Sequence, residues 1–156
     1  MATFDTTLIT KQEGRSANLH YNPNMDVLVA PVRIARFEYT LAGTEASGDK
    51  IRLGYLGVNK AYVVPEQSSV VCPSGAGCAI VMTLKKVDTS ATETALTAAA
   101  TQVAANRVAL ARPATTPTVA AVNDTDYLEL LLGTVTTATA GSVLLVEVAY
   151  YSEQAR

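Results

Sequence analysis

Two glutamates are the only acidic side chains in the two most apolar segments of the chain, and as a pair they could do hydrolytic chemistry. Glu129 lies in YLELLLG and Glu147 in SVLLVEVAYY. If the two segments pair as a hairpin, the carboxylates fall nearly opposite each other, and carboxylates about 5–9 Å apart can hydrolyse glycosides. The competing interpretation is a solvent-facing or interface glutamate on each strand, balanced by a nearby Arg or Lys. It is favoured because a catalytic site also needs a pocket and groups that position a substrate.

Two cysteines, Cys72 and Cys78, enclose the sequence PSGAG. This spacing predicts a hairpin tip at which the two thiols could approach disulfide distance. A structural zinc ion would need four ligands, and the lone histidine, His20, is far away along the chain. Two interpretations stay open, namely two small residues that pack a loop, or a disulfide that forms after release into an oxidising medium.

Other candidate sites are weaker still. Asn123, Asp124 and Asp126 offer oxygen atoms, but they lack the spacing and the terminal glutamate of an EF-hand, so they are interpreted as a turn before a strand. A single histidine argues against Ser-His-Asp and Cys-His nucleophile schemes. No hydroxyl lies in a nucleophile-elbow sequence. We therefore predict a protein that is not an enzyme and that holds no metal or cofactor.

The composition narrows the classes of partner. Of the 156 residues, 49% are hydrophobic and 17% are charged, with 12 basic against 14 acidic side chains. Typical domains carry about 25% charged residues. The hydrophobic content argues against intrinsic disorder, and a net charge of −2 gives no basic footprint for nucleic acid. No run approaches the roughly 20 apolar residues that cross a bilayer, and the first residues do not resemble a secretory signal. We expect neither a nucleic-acid nor a membrane partner.

The chain divides into a polar arm and one domain. Residues 1–26 contain many turn formers and few apolar side chains, which is typical of an arm that becomes ordered only on contact with a partner. Residues 27–156 are predicted to form a single β-sandwich domain. The candidate residues for contact between this arm and a partner are Phe4, Leu8, Ile9, His20 and Tyr21.

Alternation of apolar and polar residues predicts about eight short strands after the arm. This number favours an all-β antiparallel sandwich or barrel, and we expect a sandwich with Greek-key or jelly-roll wiring. One stretch, 88–105, is rich in Ala and could begin with Ser90 or Thr92 as a helix cap, so we expect one short helical segment there. The predicted strands are 32–41, 50–56, 61–64, 68–72, 78–86, 106–111, 127–133 and 142–151.

Three blocks of the sequence carry a resemblance: ATFDTTLITK, DKIRLGYLGVNKAYVVPEQSSVV and TDYLELLLGTVTTATAGSVLLVEVAYY. They resemble small virion structural proteins of tailed bacteriophages, above all head decoration (capsid cement) proteins. This resemblance implies a β-sandwich or jelly roll on the outside of a capsid, often as a homotrimer, without catalytic residues. The implied partners are the major capsid protein and further copies of the chain, and assembly would take place in the host cytoplasm.

The main hypothesis is therefore a decoration protein that stabilises a phage head, with an arm that reaches across onto neighbouring subunits. Low charge and apolar strands agree with a surface that is buried against other proteins. Three alternatives stay open. One is another virion part, such as a head-fibre base or a tail protein. The second is a carbohydrate-binding sandwich module that uses tyrosines for stacking, and the third is a hydrolase that uses Glu129 and Glu147.

Overall fold

The computed structural model describes residues 32–72, 78–102, 107–114 and 120–152. The predicted arm, residues 1–26, lies outside the described residues. So do its five candidate contact residues, Phe4, Leu8, Ile9, His20 and Tyr21.

Within the described ranges the chain forms eleven strands and a single 3₁₀ turn at Pro65–Gln67. The strands are β1 (Arg33–Thr40), β2 (Lys50–Tyr55), β3 (Lys60–Val63), β4 (Ser69–Val71), β5 (Cys78–Val87), β6 (Glu93–Ala95), β7 (Ala100–Gln102), β8 (Val108–Ala109), β9 (Ala121–Asn123), β10 (Tyr127–Ala138) and β11 (Val143–Ser152).

The strands form two antiparallel sheets. In the six-stranded sheet, β11 pairs with β1 along one edge and with β3 and β4, one after the other, along its other edge. The strands β9 and β8 continue this sheet outward from β3 and β4. In the five-stranded sheet, β10 lies between β2 and β5, and the outer edge of β5 pairs with β6 and β7. This arrangement confirms the predicted antiparallel β-sandwich.

The core lies between the central strands of the two sheets. Successive side chains of a strand point to opposite faces, so every second residue of β10 and of β11 faces inward. Six of these inward residues are aliphatic and fully buried, and residues of the flanking strands join them in one cluster. The inward residues with 0% exposure on the two central strands are Leu128, Leu130, Leu132, Leu144, Val146 and Val148.

The chain alternates between the sheets in a regular order. The pairs β3 and β4, β6 and β7, and β8 and β9 each occupy one strand position, which leaves four positions in each sheet. In chain order, β1 lies in the six-stranded sheet, β2 in the five-stranded sheet and β3/β4 in the six-stranded sheet. The next two positions, β5 and β6/β7, lie in the five-stranded sheet. The last three, β8/β9, β10 and β11, lie in the six-stranded, five-stranded and six-stranded sheets. We infer jelly-roll wiring from this order.

The helix expected in 88–105 is wrong as placed. Its described part holds β6 and β7, which both pair with β5. Between them, Thr97 donates its N–H to the Leu84 carbonyl, and its Oγ1 accepts a hydrogen bond from the Leu84 N–H at 3.0 Å. The free edge of a ten-residue strand offers these residues long-range hydrogen bonds, and such pairing outweighs the modest helix propensity of an Ala/Thr segment.

The last two apolar segments do not pair with each other as a hairpin, which was the condition for a pair of opposed carboxylates. The strands β10 and β11 lie in different sheets, and the turn between them crosses from one sheet to the other. This turn is held to the end of β1, because Leu41 donates to the Ser142 carbonyl at 2.8 Å and Gly141 donates to the Leu41 carbonyl at 2.9 Å. In this arrangement the apolar faces of the two strands bury each other across the core.

Candidate functional site

The two glutamates of the apolar strands do not form a catalytic pair. Each takes the outward position between inward aliphatic residues, Glu129 on β10 and Glu147 on β11. Packed sheets lie about 10 Å apart, and these two side chains leave opposite sheets in opposite directions. The hydrolase arrangement that depended on a hairpin is therefore wrong.

Glu147 lies at the centre of a complete polar network on the outer face of the six-stranded sheet. Arg36 of β1 donates to its Oε1 at 2.8 Å, and Arg107 and Ser69 donate to its Oε2, Ser69 at 3.2 Å. The hydrogen bond from Arg107, joined by that from Arg36 and opposed by burial, lowers the pKa of the Glu147 carboxyl. This is the balanced glutamate of the competing interpretation, and it stays ionised at neutral pH.

Glu129 has a different environment on the outer face of the five-stranded sheet. Its neighbours across the two adjoining strands are Arg52 of β2 and Lys85 of β5. The side chain is 7% exposed, and the ammonium nitrogen of Lys50 lies 3.7 Å from its Oε1. Among the described residues, no donor makes a hydrogen bond to this oxygen.

The cations around Glu129, including Lys50, which forms the 3.7 Å ion pair with it, make their closest contacts with other groups. The guanidinium of Arg52 lies 4.1 Å from the ring centroid of Tyr127. Lys50 and Lys85 both bind Glu93, Lys85 at 2.7 Å. The hydrogen bond from Lys50, followed by that from Lys85, lowers the pKa of Glu93 to about 2.

An exposed aromatic ring adjoins this group. Tyr55, at the end of β2, is 57% exposed and meets Tyr127 edge to face, with ring centroids 6.2 Å apart. We call this part of the outer face the Tyr55 surface. Its members are Lys50, Arg52, Tyr55, Tyr127 and Glu129.

A second tyrosine pair lies on the six-stranded sheet. The rings of Tyr62 on β3 and Tyr151 on β11 stack at 5.2 Å with an angle of 20° between their planes, and the Lys60 ammonium lies 5.4 Å from the Tyr62 centroid. Each of these two rings has one face against the other. Tyr55 is the tyrosine with a large exposed fraction among the described residues.

The cysteines come together at the edge of the core. Cys72 follows β4 and Cys78 begins β5, so the pair joins the two sheets at one corner, and both side chains are buried thiols. A hydrogen bond links the two side chains, and burial, together with the neighbouring Cys72, raises the pKa of Cys78 to about 12. A disulfide between them stays a prediction.

The segment Asn123–Asp126 is a turn, as interpreted from its sequence. Asp126 is 2% exposed, and its Oδ2 accepts hydrogen bonds from the Asn123 N–H at 3.0 Å and from Lys86 at 3.2 Å. Across the described ranges, no three His, Cys, Asp or Glu side chains are grouped to hold a metal ion. Nor does that part of the chain contain a helix long and apolar enough to cross a membrane.

Comparison with known proteins identifies a shared fold. No protein-family model and no curated protein matches the chain. A chain of the solved capsid of Ralstonia phage GP4 superposes with a TM-score of 0.56 and 21% identity, over 80% of this chain and 86% of that one. A chain of the cyanophage Pam1 capsid asymmetric unit gives a TM-score of 0.42 and 23% identity, over 79% and 86% of the two chains. At 0.56 the first likeness shows a common fold, in agreement with the fold that the sequence resemblance implied.

Proposed function

We propose that this chain is a non-enzymatic structural protein of a phage virion, which decorates the outer capsid surface and stabilises the head. The observation that carries the proposal is the fold shared with a chain of the Ralstonia phage GP4 capsid over most of both chains. The three sequence blocks that resemble head decoration proteins support the same function. The separation of Glu129 from Glu147 removes the one specific argument for an enzyme.

The mechanism is an added interface. A protein bound where capsid subunits meet buries further surface, which expansion or internal pressure must then expose again. We propose the major capsid protein as the partner and a homotrimer as the assembled form, since closed cyclic symmetry is common among identical subunits. In this proposal, assembly takes place in the host cytoplasm, and the protein is located on the outer surface of the head in the finished virion.

The arm adds a second set of contacts in this proposal. Residues 1–26 reach across onto neighbouring subunits. A segment that becomes ordered on binding can wrap around its partner, so a few residues cover a large surface. Its proposed contact residues are Phe4, Leu8, Ile9, His20 and Tyr21.

Heads with and without the protein test the proposal. Heads that lack it should release their DNA at a lower temperature, and purified protein added back should restore the heat resistance. Deletion of residues 2–20 should lower the number of copies per head. The matched comparison replaces the five contact residues with Ser in one variant and Thr3, Thr6, Thr7, Gln12 and Asn18 with Ser in another, and only the first should lose occupancy.

Two results would overturn the proposal. Equal heat resistance of heads with and without the protein removes the stabilising role. Unchanged occupancy after the arm deletion removes the role of the arm. Electron micrographs of labelled particles distinguish a head position from a head-fibre base or a tail position.

A further inference from the structure

The two outward glutamates form a natural comparison within one molecule. Each lies on the central strand of its sheet, each is at least nine-tenths buried, and each has basic side chains close to it. Both oxygens of Glu147 accept hydrogen bonds from described residues, whereas Oε1 of Glu129 accepts none. A buried acceptor without a donor is unfavourable, so the Glu129 site gains stability from a donor that comes from outside.

The described cations near Glu129 make their closest contacts with other groups. Arg52, its neighbour on β2, stacks on Tyr127, and Lys85, its neighbour on β5, binds Glu93. The ammonium of Lys50 binds Glu93 and also forms an ion pair with Glu129 Oε1 at 3.7 Å, a distance too long for a hydrogen bond. These contacts place three cations around two carboxylates, so this part of the sheet carries one net positive charge on a chain whose formal charge is −2.

The residues around the open carboxylate are those of a protein-binding surface. Tyr55 is 57% exposed beside it, and Arg52 is exposed as well. Tyr and Arg are enriched among the interface residues whose truncation to Ala weakens binding most. Both combine apolar area with hydrogen-bond donors. An acidic surface would complement Lys50 and Arg52, and an N–H or O–H donor on it would complete Glu129.

We propose that the Tyr55 surface is the face of the sandwich that docks onto the capsid, at a point where the capsid surface is net acidic. This inference rests on the proposed function and adds to it the docking face and the charge of the partner. The outer face of the six-stranded sheet, with its completed Glu147 network, then faces away from the contact.

Binding of purified variants to purified heads that lack the protein tests this proposal. The test variants are Tyr55→Ala and Arg52→Glu. The matched controls are Ile34→Ala and Arg33→Glu on β1, which are also exposed but belong to the other sheet. We expect each test variant to bind about tenfold more weakly or worse, and each control within about twofold of the wild type. The wild-type affinity should fall as salt is raised, because attraction to an acidic surface is screened.

The outcomes separate the two levels of the proposal. If the wild-type protein does not bind heads at all, the proposed function fails. If it binds and the Tyr55 and Arg52 variants bind equally well, or if only the controls lose binding, the docking face is wrong and the function stands. Should a test variant fail to fold, hydroxyl-radical footprinting of the wild-type protein decides, with Tyr55 protected on heads and Tyr62 unchanged as the expected result. Protection of Tyr62 alone would overturn the inference.

Discussion

Burial controls the chemistry of the two thiols at the corner of the sandwich. Cys72 and Cys78 are 0% and 1% exposed, and burial together with the Cys72 thiol raises the pKa of Cys78 to about 12. At pH 8 only about one Cys78 side chain in ten thousand is then the reactive thiolate. We predict that both thiols resist alkylation in the native protein and react fully in denaturant. Thiol titration in the two conditions measures this, and rapid labelling of the folded protein would contradict it.

A second residue-scale prediction concerns Glu93, whose pKa is lowered to about 2 by Lys50 first and Lys85 second. A lowered pKa in the folded state stabilises the protein above the ordinary carboxyl range, and this contribution is lost as the pH falls through 4.5 towards 2. The Tm difference between the wild type and Glu93→Gln should therefore be largest above about pH 5 and shrink on acidification. The Tm difference should also shrink in high salt, because the ion pairs of Glu93 with Lys50 and Lys85 are open to solvent. A difference that does not change with pH would refute the assignment.

The residue-level features differ in how far sequence could predict them. The alternation in the last two strands is enough to assign their inward leucines and valines to one face, because strand periodicity is local. The partners of Glu147 could not be predicted in this way. Arg36 and Arg107 are separated from it by 111 and 40 positions, so their contact depends on the order of strands in the sheet. For the same reason, no local signal distinguished the completed Glu147 site from the open Glu129 site.

At the scale of elements, the turn after β1 has little room for a side chain. Gly43 has a φ of +81°, and a Cβ on it would lie 3.0 Å from the Ala140 Cβ in the turn between β10 and β11. Gly48 has a φ of +94°, but a Cβ on it would meet nothing within 4 Å. We predict that Gly48→Ala lowers the free energy of unfolding by about 1–2 kcal/mol through backbone strain alone. Gly43→Ala should lower it by about 2–4 kcal/mol, because a clash adds to the strain. Urea unfolding of both variants measures these changes. Equal losses of unfolding free energy would show that the turn at Gly43 is not packed against the turn between β10 and β11.

The elements themselves show where local prediction stops. Strand existence was predicted well, since 32–41, 50–56 and 78–86 correspond closely to β1, β2 and β5. The Ala/Thr segment failed because its two short strands are selected by the edge of β5 rather than by their own propensity. The pairing of the last two strands could not be predicted, because alternation shows which face of a strand is apolar but not which sheet the strand joins.

For the whole molecule, the division into an arm of residues 1–26 and a domain of residues 27–156 stays a prediction. The core cluster among the described residues runs from Leu41 to Tyr150. The strand β1 itself pairs with β11 over eight residue positions, so it belongs to the sandwich. The sandwich and the arm should therefore be separable, with stability residing in the first and head binding depending on both.

Truncation at two positions tests this separation. Removal of residues 1–26 should shift the Tm by no more than a few degrees, because it deletes no described core residue, while the number of copies per head should fall for lack of arm contacts. Removal of residues 1–40 should abolish cooperative unfolding, since it strips β1 from β11 and exposes the face under Phe37 and Tyr39. Circular dichroism melts of both truncations, beside head occupancy of the shorter one, measure these effects. A loss of more than about 10 °C from the shorter deletion would amount to several kcal/mol for a chain of this size and would place arm residues within the domain.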